Sequence, residues 1–287
     1  MRMKKTVVIA CAVLAANLAP ALHAQSAALP AVARAIDEVV PVSGPDGRTV
    51  DILIVASAQP KGVLLVSHGG NSSPAAMRAV IDQAASEGFA VVAPTHTDSL
   101  SLAAERRTDL QGAFATRIAD MQVAAGLVAQ RFPGLPIGAL GYSYGSLTAL
   151  IAAGGLSPMI PGEVPGLKAV VMFSSPGPIA GLTDMPGAFA AVDVPVLLVT
   201  GTADTVPGFV SDPARHLVYF DSLPAGDRTA LVVKDATHLF LAGREPGMEE
   251  VAPLVLDFLR GRVLDEEAAG QRYDAAVSTA QFEVRRR

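Results

Sequence analysis

Residues 137–147 read Ile-Gly-Ala-Leu-Gly-Tyr-Ser-Tyr-Gly-Ser-Leu. An apolar run enters Gly141-Tyr142-Ser143-Tyr144-Gly145, and a Leu- and Ala-rich stretch leaves it, ending at Gly154-Gly155. The pentapeptide has the form Gly-x-Ser-x-Gly, a nucleophile elbow, in which a strand turns sharply into a helix and lifts a serine hydroxyl clear of the sheet. A turn that tight strains the backbone of its central residue and brings its flanks into contact, so neither flank has room for a Cβ. In a chain with 26 glycines the pattern alone is a weak signal. The strand before it and the helix after it make Ser143 the candidate nucleophile.

Outward from the elbow the chain alternates. Glu38–Val42 and Val50–Ala56 flank the turn Pro45-Asp46-Gly47 and read as an antiparallel hairpin at one sheet edge. A buried strand at 62–67, a helix at 74–87 opened by its proline, a strand at 89–93, a long helix at 108–132 and the elbow strand follow. Strands at 167–173, 194–200 and 229–233 and a helix at 249–259 complete the pattern. Short apolar strands alternating with helices predict an α/β fold with a mostly parallel central sheet covered on both faces. The residues from about Asp265 onward are polar and Ala-rich and read as a helical or loosely ordered tail, with Arg285-Arg286-Arg287 as a solvated charged end.

The first residues read as a leader. Arg2, Lys4 and Lys5 precede an uncharged apolar stretch to about Ala19, and Leu22-His23-Ala24 suits cleavage before Gln25, which predicts a secreted or periplasmic protein. The stretch is short for a membrane span, so no membrane insertion is expected after cleavage. Cys11 resembles a lipoprotein cysteine only loosely, because the apolar run continues well past it. It is the one cysteine, so a cleaved chain has neither disulfide nor thiol nucleophile. The predicted organisation is a signal peptide over 1–24, one large α/β domain over 25–264 and the tail over 265–287. A net charge of −5 with no basic patch argues against a nucleic-acid partner. Nothing in the sequence reports oligomeric state.

A serine hydroxyl needs a base. His68, His96, His216 and His238 are the candidates, and His238 stands out because it follows the last strand, at the carboxyl end where such sheets gather their chemistry. The base needs an acid to hold its tautomer. Asp184, Asp193, Asp212 and Asp235 compete with Asp204, but Asp204 follows the 194–200 strand at its carboxyl end, whereas Asp193 precedes that strand and Asp235 is too near His238 in sequence. The order Ser143, Asp204, His238 is the one expected of an elbow serine. Two backbone amides are expected to bind the oxyanion: that of Tyr144, and that of Gly70 or Asn71 in the loop His68-Gly69-Gly70-Asn71. In that loop His68 and Gly69 read as supports. No spacing suggests a metal ligand set, and no cofactor is implied.

Taken together, His68-Gly69-Gly70, Gly141-Tyr142-Ser143-Tyr144-Gly145, Gly201-Thr202-Ala203-Asp204 and His238 resemble the α/β-hydrolase superfamily. Leu64–Gly69, Gly88–Pro94 and Asp98 are similar to secreted dienelactone-hydrolase-like and platelet-activating-factor-acetylhydrolase-like esterases, over about residues 60–260. Dienelactone hydrolases proper use a cysteine nucleophile, where this chain has Ser143. Ser146 stands where many relatives have a glycine. The resemblance implies an α/β-hydrolase fold and a serine esterase acting on a small-molecule or polymeric ester. Only about 19 residues separate the strand ending near Ser174 from the next, too few for a large helical cap, so an open site is expected. Met172, Phe173, Met185 and Phe189 could line its pocket. A peptidase or amidase of the prolyl-oligopeptidase-like type, or a catalytically silent binding module, are the competing readings; turnover of amides and failure of a fluorophosphonate to label Ser143 would distinguish them.

Overall fold

In a computed structural model that describes residues 34–157, 159–239 and 248–287, nine strands form one mixed sheet. The strands are β1 (Arg34–Ser43), β2 (Thr49–Ser57), β3 (Gly62–Ser67), β4 (Phe89–Pro94), β5 (Ile137–Tyr142), β6 (Leu167–Phe173), β7 (Val196–Gly201), β8 (Arg228–Val233) and β9 (Phe282–Arg286), in the spatial order β1-β2-β4-β3-β5-β6-β7-β8-β9. The block from β4 through β8 is parallel, and β1, β2 and β9 are joined to it by antiparallel pairing. This is the mostly parallel α/β sheet that the alternation predicted. The leader, Cys11 and the cleavage point near Ala24 lie outside the described residues. Residues Val32–Arg287 belong to one compact unit, and no described helix is long and apolar enough to cross a membrane.

Successive strand residues serve opposite faces, as the pleat requires. Leu64, Val66, Val91, Ala93, Val171, Leu197 and Val199 pack beneath α1 (Arg78–Ser86) and α5 (Met248–Val263), represented by Ile81, Val251, Val255 and Phe258. Val63, Leu65, Ala90, Val92, Val170, Met172 and Leu198 face the other way. There they meet α2 (Ala113–Arg131) and α3 (Tyr144–Ala152). A strand buried on both faces must be apolar throughout, hence the unbroken runs in β3, β4 and β7. Each fully buried Val, Leu, Ile or Phe contributes roughly 1.5–3 kcal/mol. Met172 and Phe173 belong to this core because β6 lies inside the sheet and turns no face to solvent, and Phe189 is buried against Tyr219, so none of the three is a pocket wall; Met185 is exposed.

The expected tail differs from the prediction. Its first part is helical, α6 (Glu267–Asp274), but its end is β9, which pairs antiparallel with β8 from Thr229 to Val233. Tyr273 and Phe282 bury against Phe258 and the sheet. The terminal arginines are tied down as well: Arg286 donates to the carbonyls of Ala276 and Tyr273, and Arg287 to those of Phe220 and Asp221. Polar composition concealed a strand because an edge strand half-covered by its neighbour needs only one buried side chain in two. The long helix predicted over 108–132 begins at Ala113, and between β6 and β7 the chain makes turns and carries no helix.

Candidate functional site

Ser143 stands between β5 and α3 with φ 53° and ψ −120°, a conformation that a non-glycine residue holds only when its surroundings impose it. The surroundings are visible at the two glycines. A Cβ on Gly141 would lie 2.1 Å from the Gly145 carbonyl oxygen, and one on Gly145 would lie 2.0 Å from that of Ser67. Neither contact can be relieved, since both meet backbone. The Phe173 carbonyl then pins the elbow to β6, accepting from the Ser143 amide at 2.8 Å and from the Ser146 hydroxyl at 2.8 Å. Ser146 also reaches the Gly141 carbonyl at 3.1 Å. A glycine at 146 would leave both carbonyls without this donor.

The loop after β7 carries Asp204, fully buried. Its carboxylate accepts from three sides: His238 Nδ1 at 2.8 Å and His216 Nε2 at 3.0 Å on Oδ1, and the Thr200 hydroxyl at 2.7 Å on Oδ2. Burial opposes its charge, but the hydrogen bonds from His216 and His238 outweigh burial and hold the carboxyl well below the usual carboxylate range. His216 is pushed the opposite way. Burial works against its cation, yet the Asp204 carboxylate and the carbonyls of Ser175 and Asp204 raise its pKa.

His238 follows β8, and its loop is laced to the Asp204 loop. A Cβ on Gly201 would lie 2.0 Å from the Ala236 oxygen, that same oxygen accepts from the Ala203 amide at 3.1 Å, and the Asp235 amide donates to Thr202 Oγ1 at 2.8 Å. The elbow reaches this loop too: the Tyr142 hydroxyl donates to the His238 carbonyl at 2.5 Å, with the two rings 5.1 Å apart. Since Nδ1–H donates to Asp204, Nε2 of His238 keeps its lone pair.

On the other side, the loop after β3 lies against the elbow, and a Cβ on Gly69 would sit 3.5 Å from Ser143 Cβ. Arg117, from α2 and almost wholly buried, organises it. Its guanidinium donates to the carbonyls of His68 and Gly69 at 2.8 and 2.9 Å and makes a bidentate pair with Asp98. Turning the Gly69 carbonyl to Arg117 aims the Gly70 amide the opposite way across a trans peptide. The Asn71 amide, expected as an alternative anion donor, is instead committed to Asp98 at 2.8 Å. Asn71 also carries φ 57°, a region its short polar side chain tolerates. Among the described residues the Gly70 amide has no acceptor.

His68 Nδ1 donates to the Gly69 carbonyl and Nε2 accepts from the His96 amide at 3.0 Å, so both nitrogens serve the loop. Burial, with His96 and Arg117 nearby, holds His68 well below the usual histidine range. His96 bridges the Ser67 hydroxyl and the Asp120 carboxylate, each at 2.9 Å. That makes a second Ser-His-Asp chain, but all three residues are sealed from solvent, where no substrate can reach. Burial raises the Asp120 carboxyl to about 6, against the pull of Arg48.

The structure places Ser143, Tyr144, Gly70, Asp204 and His238, the residues expected from the sequence, at the carboxyl ends of neighbouring strands; the sequence reading missed what orients them, Arg117, Asp98 and the contact of His216 with Asp204. Arg117 carries no local signature, being one cation in an ordinary helix. Asp98 and His216 were in view, yet no spacing announces their partners.

A family model described as PETase, PET hydrolase-like, matches residues 18–284. A search of curated proteins returns no match. With that match over most of its length and the mixed, mostly parallel sheet, the chain belongs to the PET hydrolase-like family, within the α/β-hydrolases, and is a carboxylic ester hydrolase.

Proposed function

We propose that the protein is an exported serine esterase that works through an acyl-enzyme on Ser143. His238 Nε2 takes the Ser143 proton as Oγ attacks the ester carbonyl. The oxyanion is met by the amides of Tyr144, a first-turn amide with no acceptor in its own helix, and of Gly70. Collapse expels the alcohol, which leaves with the proton from His238. Water then attacks the acyl-enzyme with His238 again as base, and Asp204 balances the imidazolium in both halves. The observation that carries this reading is the strained φ 53° at Ser143, held between two loops that present an imidazole–carboxylate pair and an unsatisfied amide.

The leader at 1–24 supports export. The substrate reading rests on the rim. Of seven exposed large apolar side chains among the described residues, Leu100, Met185, Phe209 and Leu239 lie in the loops after β4, β6, β7 and β8, the strand ends that converge on Ser143. With no helical cap between β6 and β7, we read these side chains as an open apolar rim rather than the lining of an enclosed pocket. Such a surface suits an extended or polymeric ester of the kind in the family's name. Ser143→Ala is expected to abolish hydrolysis of chromogenic esters. An acyl-chain-length series set beside aryl and polymeric esters tests the substrate class; confinement of activity to short soluble esters would overturn the polymer reading.

A further inference from the structure

Two imidazoles share one carboxylate oxygen in this site, and only one of them has a part in the proposed chemistry. We infer that His216 is a positioning residue, a buried imidazolium that grips Asp204 from behind and opposes a second positive charge on His238. The inference rests on the proposed roles of Ser143, His238 and Asp204.

The geometry leaves His216 little choice of protonation state. It sits in the 3₁₀ turn Pro213–Leu217, fully buried. Nε2 faces the Asp204 carboxylate at 3.0 Å and the Asp204 carbonyl at 3.0 Å, while Nδ1 faces the Ser175 carbonyl at 2.5 Å. The Ser175 hydroxyl does not supply a donor, because it lies 3.4 Å from Nδ1 and donates to the His216 carbonyl at 3.0 Å. Both ring nitrogens therefore meet acceptors. A neutral imidazole has one N–H and would leave a lone pair against a lone pair; the imidazolium donates at both. The neighbouring groups agree with this. From the β7 loop comes the Asp204 carboxylate and from the β8 loop the His238 ring, stacked at 5.9 Å. From the β6 loop comes only the neutral Ser175. Tyr219, on α4 (Val218–Ser222), turns its hydroxyl to the Gly177 carbonyl.

The consequence follows from the stacking. Protonating His238 places a second cation beside His216, on a carboxylate whose charge His216 already shares. The two cations would repel across one shared carboxylate, so His216 disfavours a second positive charge beside it. His216 Nε2 and the Thr200 hydroxyl also hold the Asp204 carboxylate independently of His238, so the base can move a proton without losing its anchor.

The test is the pH dependence of kcat/KM for a soluble chromogenic ester, measured on the full chain as wild type, His216→Gln and Ser143→Ala. In His216→Gln the acid limb is expected to move up by about one pH unit or more, with Ser143 still labelled by a fluorophosphonate at high pH. An unmoved limb overturns the inference while leaving the Ser143 reading intact. Activity persisting in Ser143→Ala overturns that reading itself. Because a buried substitution can unfold the chain, wild-type protein labelled with ¹⁵N-histidine gives a second measurement. Both ring nitrogens of His216 are expected at imidazolium shifts at pH 7.5, and a neutral tautomer pattern overturns the inference.

Discussion

Arg117 stacks its guanidinium on the Tyr144 ring, 4.6 Å from the centroid, while the same group holds the carbonyls of His68 and Gly69. One side chain from α2 thus touches both walls of the proposed anion pocket: the residue after the nucleophile and the loop that presents Gly70. Burial pushes the Tyr144 phenol up to about 12, which keeps it neutral and donating to the Leu110 carbonyl.

Replacing Arg117 by Lys keeps a charge but loses the planar fork. We expect kcat to fall by about a hundredfold with KM little changed, the size of effect that follows loss of one oxyanion donor. Arg117→Met leaves Asp98 buried without its partner and should cost about 3–5 kcal/mol. Steady-state kinetics and urea unfolding measure the two effects separately.

The elbow glycines differ from the turn glycines. In Gly145→Ala the new methyl would meet the Ser67 carbonyl 2.0 Å away, and the protein should be insoluble or strongly destabilised. Gly134→Ala, with φ +77° and nothing within 4 Å, should cost only about 1–2 kcal/mol. Thermal midpoints of the pair separate steric exclusion from simple left-handed strain.

Stability should peak near pH 6.5. His68 and His96 are depressed by burial and Arg117, so their contribution is present above the unfolded histidine pKa and is lost as pH falls below it. Asp120, raised to about 6, opposes one of these protons between its unfolded pKa and 6. The net slope there is about one proton, roughly 1.4 kcal/mol per pH unit, stability rising with pH. Above about pH 6.5 the sign reverses, because the raised His216 contributes below its unfolded pKa and is lost as pH rises through its folded one. Asp204 adds nothing in this range, its depressed pKa making itself felt only below about pH 4. Urea midpoints from pH 4.5 to 9 check the shape, and a monotonic curve would contradict it.

Deleting residues 276–287 removes β9 and uncovers the β8 edge next to the His238 loop. We expect aggregation or loss of folded protein, since an exposed apolar edge strand invites pairing with other chains. Light scattering and circular dichroism of the shortened chain read the outcome; a soluble protein of wild-type stability would return the segment to the status of a tail.

How much was legible follows from range. The elbow and the strand alternation are local patterns, because a sharp turn and a buried strand constrain residues next to one another in the chain, and Asp204 and His238 were legible because each follows a strand at its carboxyl end. Asp98 and Arg117 lie 19 residues apart and Asp204 and His216 lie 12 apart, and neither pair has a spacing rule. β9 was invisible for the same reason: Phe282–Arg286, with three charged residues in five, become a strand only because β8 offers them an open edge.

The sequence by itself determined the sheet, its two covered faces and the serine that stands at its centre, since burial on both faces and the crowding at Gly141 and Gly145 admit few residue types. Tertiary structure alone decided that Asn71 gives its amide to Asp98, that Arg117 aims Gly70, and that Asp204 serves two histidines. Those are matters of where a hydrogen atom points in a water-free interior, where every donor must find an acceptor, and that is settled by contacts between segments far apart in the chain.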